Sequence, residues 1–198
     1  MKKLILIFLA LFCSLERSNG QEVKINSDSL FEYCQNFVFV EDEKAIVCFN
    51  KLLELDPNNK EAYYWRGNAY WQVSEYNSAL NDYNKAILLN PKKAEYYSGR
   101  ANVQGVFLGN YKEAISDYSK AIKLEKNDGS FYESRADVYG KRKKYRKAIK
   151  DYTTAIDLLV NVDTTMTNPI HKKASLLYDR AEMYEKVSMY SMFQFLKF

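Results

Sequence analysis

Arginine and aspartate recur in this chain at a spacing that suits ion pairing. The recurring sets are Arg66 with Asp82, Arg100 with Asp117, and Arg135 with Asp151. A planar guanidinium offers a fork of donors that matches a carboxylate. We therefore predict one ion pair in each set, joining two consecutive segments of the chain. Partly buried pairs of this kind specify packing as much as they add stability, so we interpret them as architecture.

Residues typical of catalysis are scarce. The chain has one histidine, His171, and no cluster of Cys and His residues at metal-ligand spacing. It also lacks the glycine-rich loop that cradles phosphates and the Gly-x-Ser-x-Gly elbow of serine hydrolases. The sequence therefore predicts no catalytic residue, no metal site and no cofactor, and we expect a protein that is not an enzyme.

The elements that position the recurring charges come from an internal repeat. The heptapeptides NDYNKAI, SDYSKAI and KDYTTAI begin at residues 81, 116 and 150. Each closes a longer unit with two segments whose apolar residues recur at helical spacing, which predicts two amphipathic helices per unit. Because one helix pair cannot bury its apolar stripe alone, stacking of equivalent pairs is expected to form a continuous core.

These units resemble the tetratricopeptide repeat, whose period is about 34 residues. In the first full copy, matches to the family pattern lie at Tyr63, Gly67, Tyr70, Ala79, Tyr83, Ala86 and Pro91. The second copy departs from the pattern at Gln104 and has one extra residue near Gly105–Gly109. The resemblance implies an all-α fold, a right-handed superhelical solenoid of antiparallel helix pairs.

The repeat pattern divides the chain into five segments. Residues 60–160 hold three tetratricopeptide-like repeats, and residues 21–58 read as a degenerate first helix pair. A linker is predicted at 161–171, followed by a partial C-terminal repeat or cap at 172–198. Residues 1–20 combine a basic start, a short apolar run and small residues near the end, which is the layout of a signal peptide.

The resemblance also implies where function would lie. In this family the first helix of each unit lines a concave groove that binds peptides, so we expect a protein or peptide partner. The groove candidates are Tyr64, Asn68, Trp71, Ser98, Asn102, Glu133, Asp137, Tyr178 and Glu182. Asparagine amides both donate and accept hydrogen bonds, which suits an extended backbone. Glu133, Asp137 and Glu182 make the later part of the groove acidic and predict a basic partner.

One specialised family site is disfavoured. Family members that hold the acidic tails of heat-shock chaperones use a clamp of Lys, Asn and Arg side chains. Asn68 and Asn102 match that clamp, but Tyr64, Glu133 and Asp137 stand where it requires cations. The groove of this chain is therefore not expected to bind such tails.

Two cysteines follow the predicted leader and make a disulfide chemically feasible. Cys34 and Cys48 lie on either side of 41–43, the expected turn of the first helical hairpin. An exported protein would permit a bridge, whereas unpaired cysteines are commonly small buried hydrophobes. The leader favours export to the periplasm or the cell exterior, with anchoring to a membrane as the alternative.

The charge balance argues against nucleic acid as a partner. The net charge is +4, and removal of the leader would lower it to +2. The basic run KRKKYRK at 141–147 lies between two predicted helices, where it is typical of a solvated turn. Membrane association through the leader, this turn or the aromatic C-terminus YSMFQFLKF remains the alternative function, and the sequence predicts no oligomeric state.

Overall fold

Nine helices build the described part of the chain. The computed structural model describes residues 27–160 and 169–195, without the side chains of 160, 169–171 and 190–195. The helices are α1 Ser27–Gln35, α2 Asp42–Leu55, α3 Lys60–Gln72, α4 Tyr76–Leu89, α5 Ala94–Asn102, α6 Tyr111–Leu124, α7 Gly129–Lys141, α8 Tyr145–Val160 and α9 Pro169–Phe195. They pack as consecutive pairs, and the described ranges contain no strand, which confirms the predicted helical solenoid. The predicted leader lies outside the described residues.

Alanines and aromatic residues on the second helix of each pair form the core between units. Ala45, Ala79, Ala114 and Ala148 occupy equivalent positions and are fully buried. Four residues later on each helix, Phe49, Tyr83, Tyr118 and Tyr152 are also buried. The small residues let neighbouring backbones approach and the rings fill the remaining space, as close-packed interiors require.

The predicted ion pairs are present in all three full units. Arg66 contacts Asp82 through Nε and Nη2, both at 2.7 Å from carboxylate oxygens. Arg100 binds Asp117 with the same two distances, and these hydrogen bonds raise the pKa of the Arg100 guanidinium. The third pair joins Arg135 to Asp151 at 2.7 and 2.9 Å.

Each of these arginines also contacts the preceding unit. Their Nη1 atoms donate to Asn50, Asn84 and Ser119, at 2.7, 2.6 and 2.9 Å respectively. One guanidinium therefore holds together the two helices of its own unit and the second helix of the unit before. Loss of one partner would leave a desolvated charge, which typically costs about 3–5 kcal/mol.

The first helix pair is held by a disulfide instead. Cys34 on α1 and Cys48 on α2 are bonded, with their Cα atoms 5.4 Å apart. The turn between the helices lies at 36–41, so it begins and ends earlier in the chain than the predicted turn at 41–43. The reason is that α2 begins at Asp42, whose carboxylate accepts a hydrogen bond from the Phe39 amide. The negative charge of Asp42 is also stabilised by the positive end of the helix dipole.

The extra residue of the second copy is absorbed by a π-helical turn. After α5 the chain continues as a π-helix, Val103–Phe107, which takes up one more residue per turn than an α-helix. Gly105 is required there because a Cβ at this position would lie 2.9 Å from the Ala114 Cβ atom. The turn directs Phe107 onto Tyr76, with ring centroids 4.7 Å apart.

The C-terminal region departs from the predicted boundaries. Helix α9 begins at Pro169, inside the predicted linker, and continues to Phe195. Proline is well suited to the first turn of a helix because that turn does not need its missing amide hydrogen. Residues 161–168, the rest of the predicted linker, lie outside the described residues.

Candidate functional site

The second helix of each full unit donates a tyrosine hydroxyl to the first helix. Tyr83 donates to Asn68 Oδ1 at 2.7 Å, and Tyr118 donates to Asn102 Oδ1 at 2.6 Å. In the third unit Tyr152 donates to the Asp137 carboxylate. These three acceptors are the row of first-helix residues that the sequence singled out for the groove. The row therefore has a structural role as well as any binding role.

Around Asn68 the first-helix face is closed. Tyr64 packs on Tyr83 and Tyr96, with ring centroids 6.0 and 5.2 Å apart. Burial raises the pKa of the Tyr64 hydroxyl, and its hydrogen bond with Asn68 opposes that rise. Only 7% of Asn68 is exposed. We call this region, formed by Tyr64, Asn68, Tyr83 and Tyr96, the closed half, and it leaves no room for a peptide at Asn68.

Further along the same face the structure opens into a cavity of about 480 Å³. It brings together three predicted groove residues, Asn102, Asp137 and Glu182. Asp179 and the tyrosines Tyr118 and Tyr152 line the same space. We call this region the open half. Because Asn102 accepts from Tyr118 through its oxygen, its amide nitrogen remains able to donate.

The open half contains three carboxylates, Asp137, Asp179 and Glu182, and two lysines, Lys141 and Lys186. Burial raises the pKa of the Asp137 carboxyl, the hydrogen bond from Tyr152 opposes that rise, and the nearby Glu133 and Asp179 carboxylates add to it. Glu182 is paired with Lys186 at 2.6 Å. Asp137 and Asp179 form no salt bridge with a lysine among the described residues, although Lys141 lines the same space and opposes the rise in the pKa of Asp137, so these two carboxylates are the candidates to attract a cation.

The other predicted groove residues are dispersed. Ser98 donates to the Glu95 carbonyl oxygen at 3.1 Å, and Glu133 pairs with Lys172 at 2.6 Å beside a second cavity of about 740 Å³. Trp71 packs against Phe107, with ring centroids 6.1 Å apart. Tyr178 is 72% exposed. None of these four lines the cavity that contains Asn102 and Asp137.

Sequence reasoning missed two features of this site. It gave no role to the hydroxyls of Tyr83, Tyr118 and Tyr152, which donate to Asn68, Asn102 and Asp137. It also omitted Asp179, which lines the cavity. The sequence does contain a signal for these hydrogen bonds, because a tyrosine follows each of Asn68, Asn102 and Asp137 at an almost constant separation along the chain. Buried amide and hydroxyl groups are nearly always hydrogen-bonded, so a polar residue and a tyrosine buried close together are candidates to pair.

The described ranges contain neither a metal-binding cluster nor a membrane-spanning helix. Where side chains are described, no group of three or more His, Cys, Asp or Glu residues could hold a metal ion. Within 27–160 and 169–195, no helix combines the length and apolar character needed to cross a membrane.

Solved structures resemble this chain mainly in fold. YrrB, described as a TPR protein with an unusual peptide-binding site, is 20% identical and superposes with a TM-score of 0.64, covering 82% of this chain and 78% of that one. A MamA crystal structure is 25% identical, with a TM-score of 0.63 over 67% of this chain and 78% of the other. MamA from Desulfovibrio magneticus RS-1 is 18% identical, with a TM-score of 0.65 over 72% and 81%.

Curated relatives match only a short stretch. Tetratricopeptide repeat protein 28 of Homo sapiens is 45% identical over 53 residues, which is 27% of this chain and 2% of that protein. The DnaJ homolog subfamily C member 3 homolog of Dictyostelium discoideum is 39% identical over 62 residues, 31% of this chain and 12% of that protein. The matches thus cover a small part of these relatives' length.

Family profiles described as TPR repeat and tetratricopeptide repeat match residues 41–74, 61–93, 94–128 and 129–158. Together these matches run without a break from 41 to 158, through the helix pairs whose ion pairs and tyrosine contacts are described above. The chain belongs to the tetratricopeptide repeat family.

Proposed function

We propose that this tetratricopeptide-repeat chain is a non-catalytic, exported scaffold that binds a basic segment of a partner protein in its open half. The observation that carries the proposal is the cavity of about 480 Å³ that gathers Asn102, Asp137 and Glu182. The likeness to YrrB, described as having a peptide-binding site, supports a role in protein interaction. The sparse catalytic chemistry of the sequence supports a scaffold over an enzyme.

The chemistry of the cavity favours a positively charged, extended segment. Asp137 and Asp179 present carboxylates, Glu182 pairs with Lys186 at an exposed position, and Lys141 also lines the space, so carboxylates outnumber lysines three to two. A lysine or arginine that replaces water here would form charge-assisted hydrogen bonds, which are stronger than neutral ones. Asn102 can add one donor to a peptide carbonyl. An acidic segment would meet like charge and is expected to be rejected.

Selection from a random peptide library displayed on phage tests the proposal, with the full chain as bait. We expect the selected peptides to be enriched in Lys and Arg. The variant Asp137→Asn removes the charge yet keeps an oxygen for Tyr152 to donate to, as Asn68 and Asn102 do in their units. Loss of one charged hydrogen bond should weaken binding of the selected peptides by roughly tenfold.

Glu113→Gln is the matched control. Glu113 is exposed on the second helix α6, away from the cavity, and its substitution also removes one negative charge. The control should leave affinity unchanged. Selection of acidic peptides, or equal weakening by both variants, would show that the open half is not the binding site.

Export is supported by the leader-like N-terminus and by the bond between Cys34 and Cys48, because such bonds persist mainly in oxidising compartments. Fractionation of cells that express the chain with and without residues 1–20 tests it. We expect the exported fraction to lose the protein when these residues are removed. Retention of the full chain in the membrane fraction would favour the alternative, a membrane-associated assembly factor.

A further inference from the structure

Helix α9 repeats the first-helix pattern of the preceding units on its buried side. Leu176 and Met183 are buried, as Phe131 and Val138 are at the equivalent positions of α7. Arg180 Nη1 lies 3.4 Å from Thr153 Oγ1, in the manner of the three earlier arginines toward their preceding units. The helix is therefore docked as the first half of another repeat.

Among the described residues, none covers the side of α9 that would meet a second helix. Ala181 is exposed, whereas the equivalent Gly67, Ala101 and Ala136 are buried. On either side of Ala181 along this face, Leu177 is 39% exposed and Tyr184 is 55% exposed. We call the surface formed by Leu177, Arg180, Ala181 and Tyr184 the α9 slot.

The slot contains an arginine without its usual carboxylate. In the three full units the Nε and Nη2 atoms of the arginine bind an aspartate on the second helix. Within the described residues, no carboxylate lies at salt-bridge distance from Arg180, and Thr153 is its hydrogen-bond partner. A half-buried guanidinium with unfilled donors favours an incoming carboxylate.

We infer that the α9 slot binds an α-helix of a partner protein that carries a small residue followed three positions later by an aspartate. This is the pattern with which the chain covers the same surface three times itself, in ALNDY, AISDY and AIKDY from Ala79, Ala114 and Ala148. The small residue fits against Ala181, and the carboxylate fills the fork of Arg180. The site lies on the opposite helix edge from the open half and does not depend on it.

A second copy of this chain is a poorer occupant. Its own aspartates of this pattern, Asp82, Asp117 and Asp151, are buried in their ion pairs at 1–7% exposure. To bind Arg180 of a second copy, one of these aspartates would have to leave its own arginine, which would disrupt the repeat that contains it. Charge complementarity thus favours a different protein with a free helix of this pattern.

A peptide with the sequence of residues 76–89 serves as the probe. In the peptide Asn77 and Asn81, both exposed in α4, are replaced by glutamate and lysine, whose side chains are joined in a lactam bridge. The bridge holds the peptide helical, so that folding of the peptide does not limit binding. Titration with the full chain is followed by fluorescence anisotropy. We expect saturable binding that weakens at least about tenfold when the peptide carries Asp82→Asn, since one charged contact is lost.

Two variants of the chain locate the contact. Ala181→Phe fills the α9 slot and should abolish binding of the probe, whereas Ser175→Phe, which adds the same ring at an exposed position on another side of α9, should leave it unchanged. Absence of saturable binding, equal binding of the Asp and Asn peptides, or equal effects of the two variants would overturn the inference. So would a dimer of the full chain in sedimentation that Ala181→Phe dissociates, because the slot would then join two copies.

Discussion

The closed and open halves of the first-helix face are built on the same backbone arrangement but differ in use. In both, a buried tyrosine of the second helix donates to a polar residue of the first, Tyr83 to Asn68 and Tyr118 to Asn102. Around Asn68 the space is filled by rings, whereas Asn102 borders a cavity. The same hydrogen bond from a tyrosine can therefore occur in a packed core or beside a potential binding surface.

Two positions account for the difference. One turn before the row, the closed half has Tyr64 where the next unit has Ser98. One residue before the arginine, Gly99 lies against Tyr83, whereas the equivalent Ser134 lines the cavity beside Tyr118. Tyr64 together with Gly99 closes the surface at Asn68. Ser98 and Ser134, which are small and polar, leave it open at Asn102.

The largest expected effect tests the glycine. In Gly99→Ala the new Cβ would lie 2.9 Å from the Tyr83 ring, and Gly67 lies so close to the same ring that a Cβ there would be only 3.0 Å from it. Overpacking costs about 1–3 kcal/mol, and the higher helix propensity of alanine returns about 1 kcal/mol or less. We expect a net loss of about 2 kcal/mol in the free energy of unfolding, measured by urea denaturation.

The matched substitution in the open half is Ser134→Ala. Ser134 borders the cavity, and its hydroxyl forms a hydrogen bond with Tyr118, so the substitution removes that bond but introduces no contact with a ring. The loss in the free energy of unfolding should not exceed about 1 kcal/mol, because water in the cavity can replace the hydroxyl. Similar losses in both variants would mean that the two halves are packed alike.

The fold could be predicted from the sequence because its signals are repeated and local. The helix pairs, the ion pairs of Arg66, Arg100 and Arg135, and the extra residue near Gly105 all follow from aligning the units with one another. The division into closed and open halves could not be predicted in this way. It depends on how Tyr64 of one unit meets Tyr96 of the next, a contact between positions that the repeat pattern treats independently.

The site was predictable only in part for the same reason. Asn102, Asp137 and Glu182 were found because they occupy equivalent positions on successive first helices, and those positions do meet at one cavity. Asn68 holds an equivalent position too, yet it is buried. Sequence equivalence specifies the direction of a side chain, whereas accessibility is decided by its neighbours.

The next largest effect is expected from a change in the shape of the cavity. Ser98→Tyr places in the second unit the ring that closes the first, where by equivalence it would contact Tyr118 and Phe131. The added ring should narrow the cavity at its Asn102 end and weaken binding of the selected basic peptides by about tenfold, or 1.4 kcal/mol. Fluorescence anisotropy measures the affinity. If the peptides bind Ser98→Tyr as tightly as the parent chain, the space above Tyr118 is not part of the site.

A smaller effect is expected when the hydroxyl of Tyr83 or of Tyr152 is removed, and the two losses can be compared. Tyr83→Phe leaves the buried oxygen of Asn68 without its donor, which should lower the free energy of unfolding by about 1 kcal/mol. Tyr152→Phe should cost less, because Asp137 is more exposed and water can replace the hydroxyl. Urea denaturation of the two variants gives the difference. A larger loss for Tyr152→Phe would contradict the assignment of closed and open halves.

The smallest effect is a pH dependence confined to the open half. Burial raises the folded-state pKa of Asp137 above its ordinary value, so the folded chain binds this proton more tightly than the unfolded chain does. The stability that the protonated carboxyl contributes is therefore fully present below the unfolded-state pKa and is lost as the pH rises through the folded-state pKa. Asp137→Asn keeps the acceptor for Tyr152 but cannot titrate.

We therefore expect the Tm of Asp137→Asn to exceed that of the parent chain slightly at neutral pH, with the difference shrinking or reversing as the pH falls through the aspartate range, between about pH 7 and about pH 3. Glu113→Gln, measured in parallel, separates this effect from that of net charge. A cation bound beside Asp137 would favour its ionised form, so selected peptides should remove the difference. If the difference does not change with pH, the carboxylate is already well solvated, and the two halves differ in shape rather than in electrostatics.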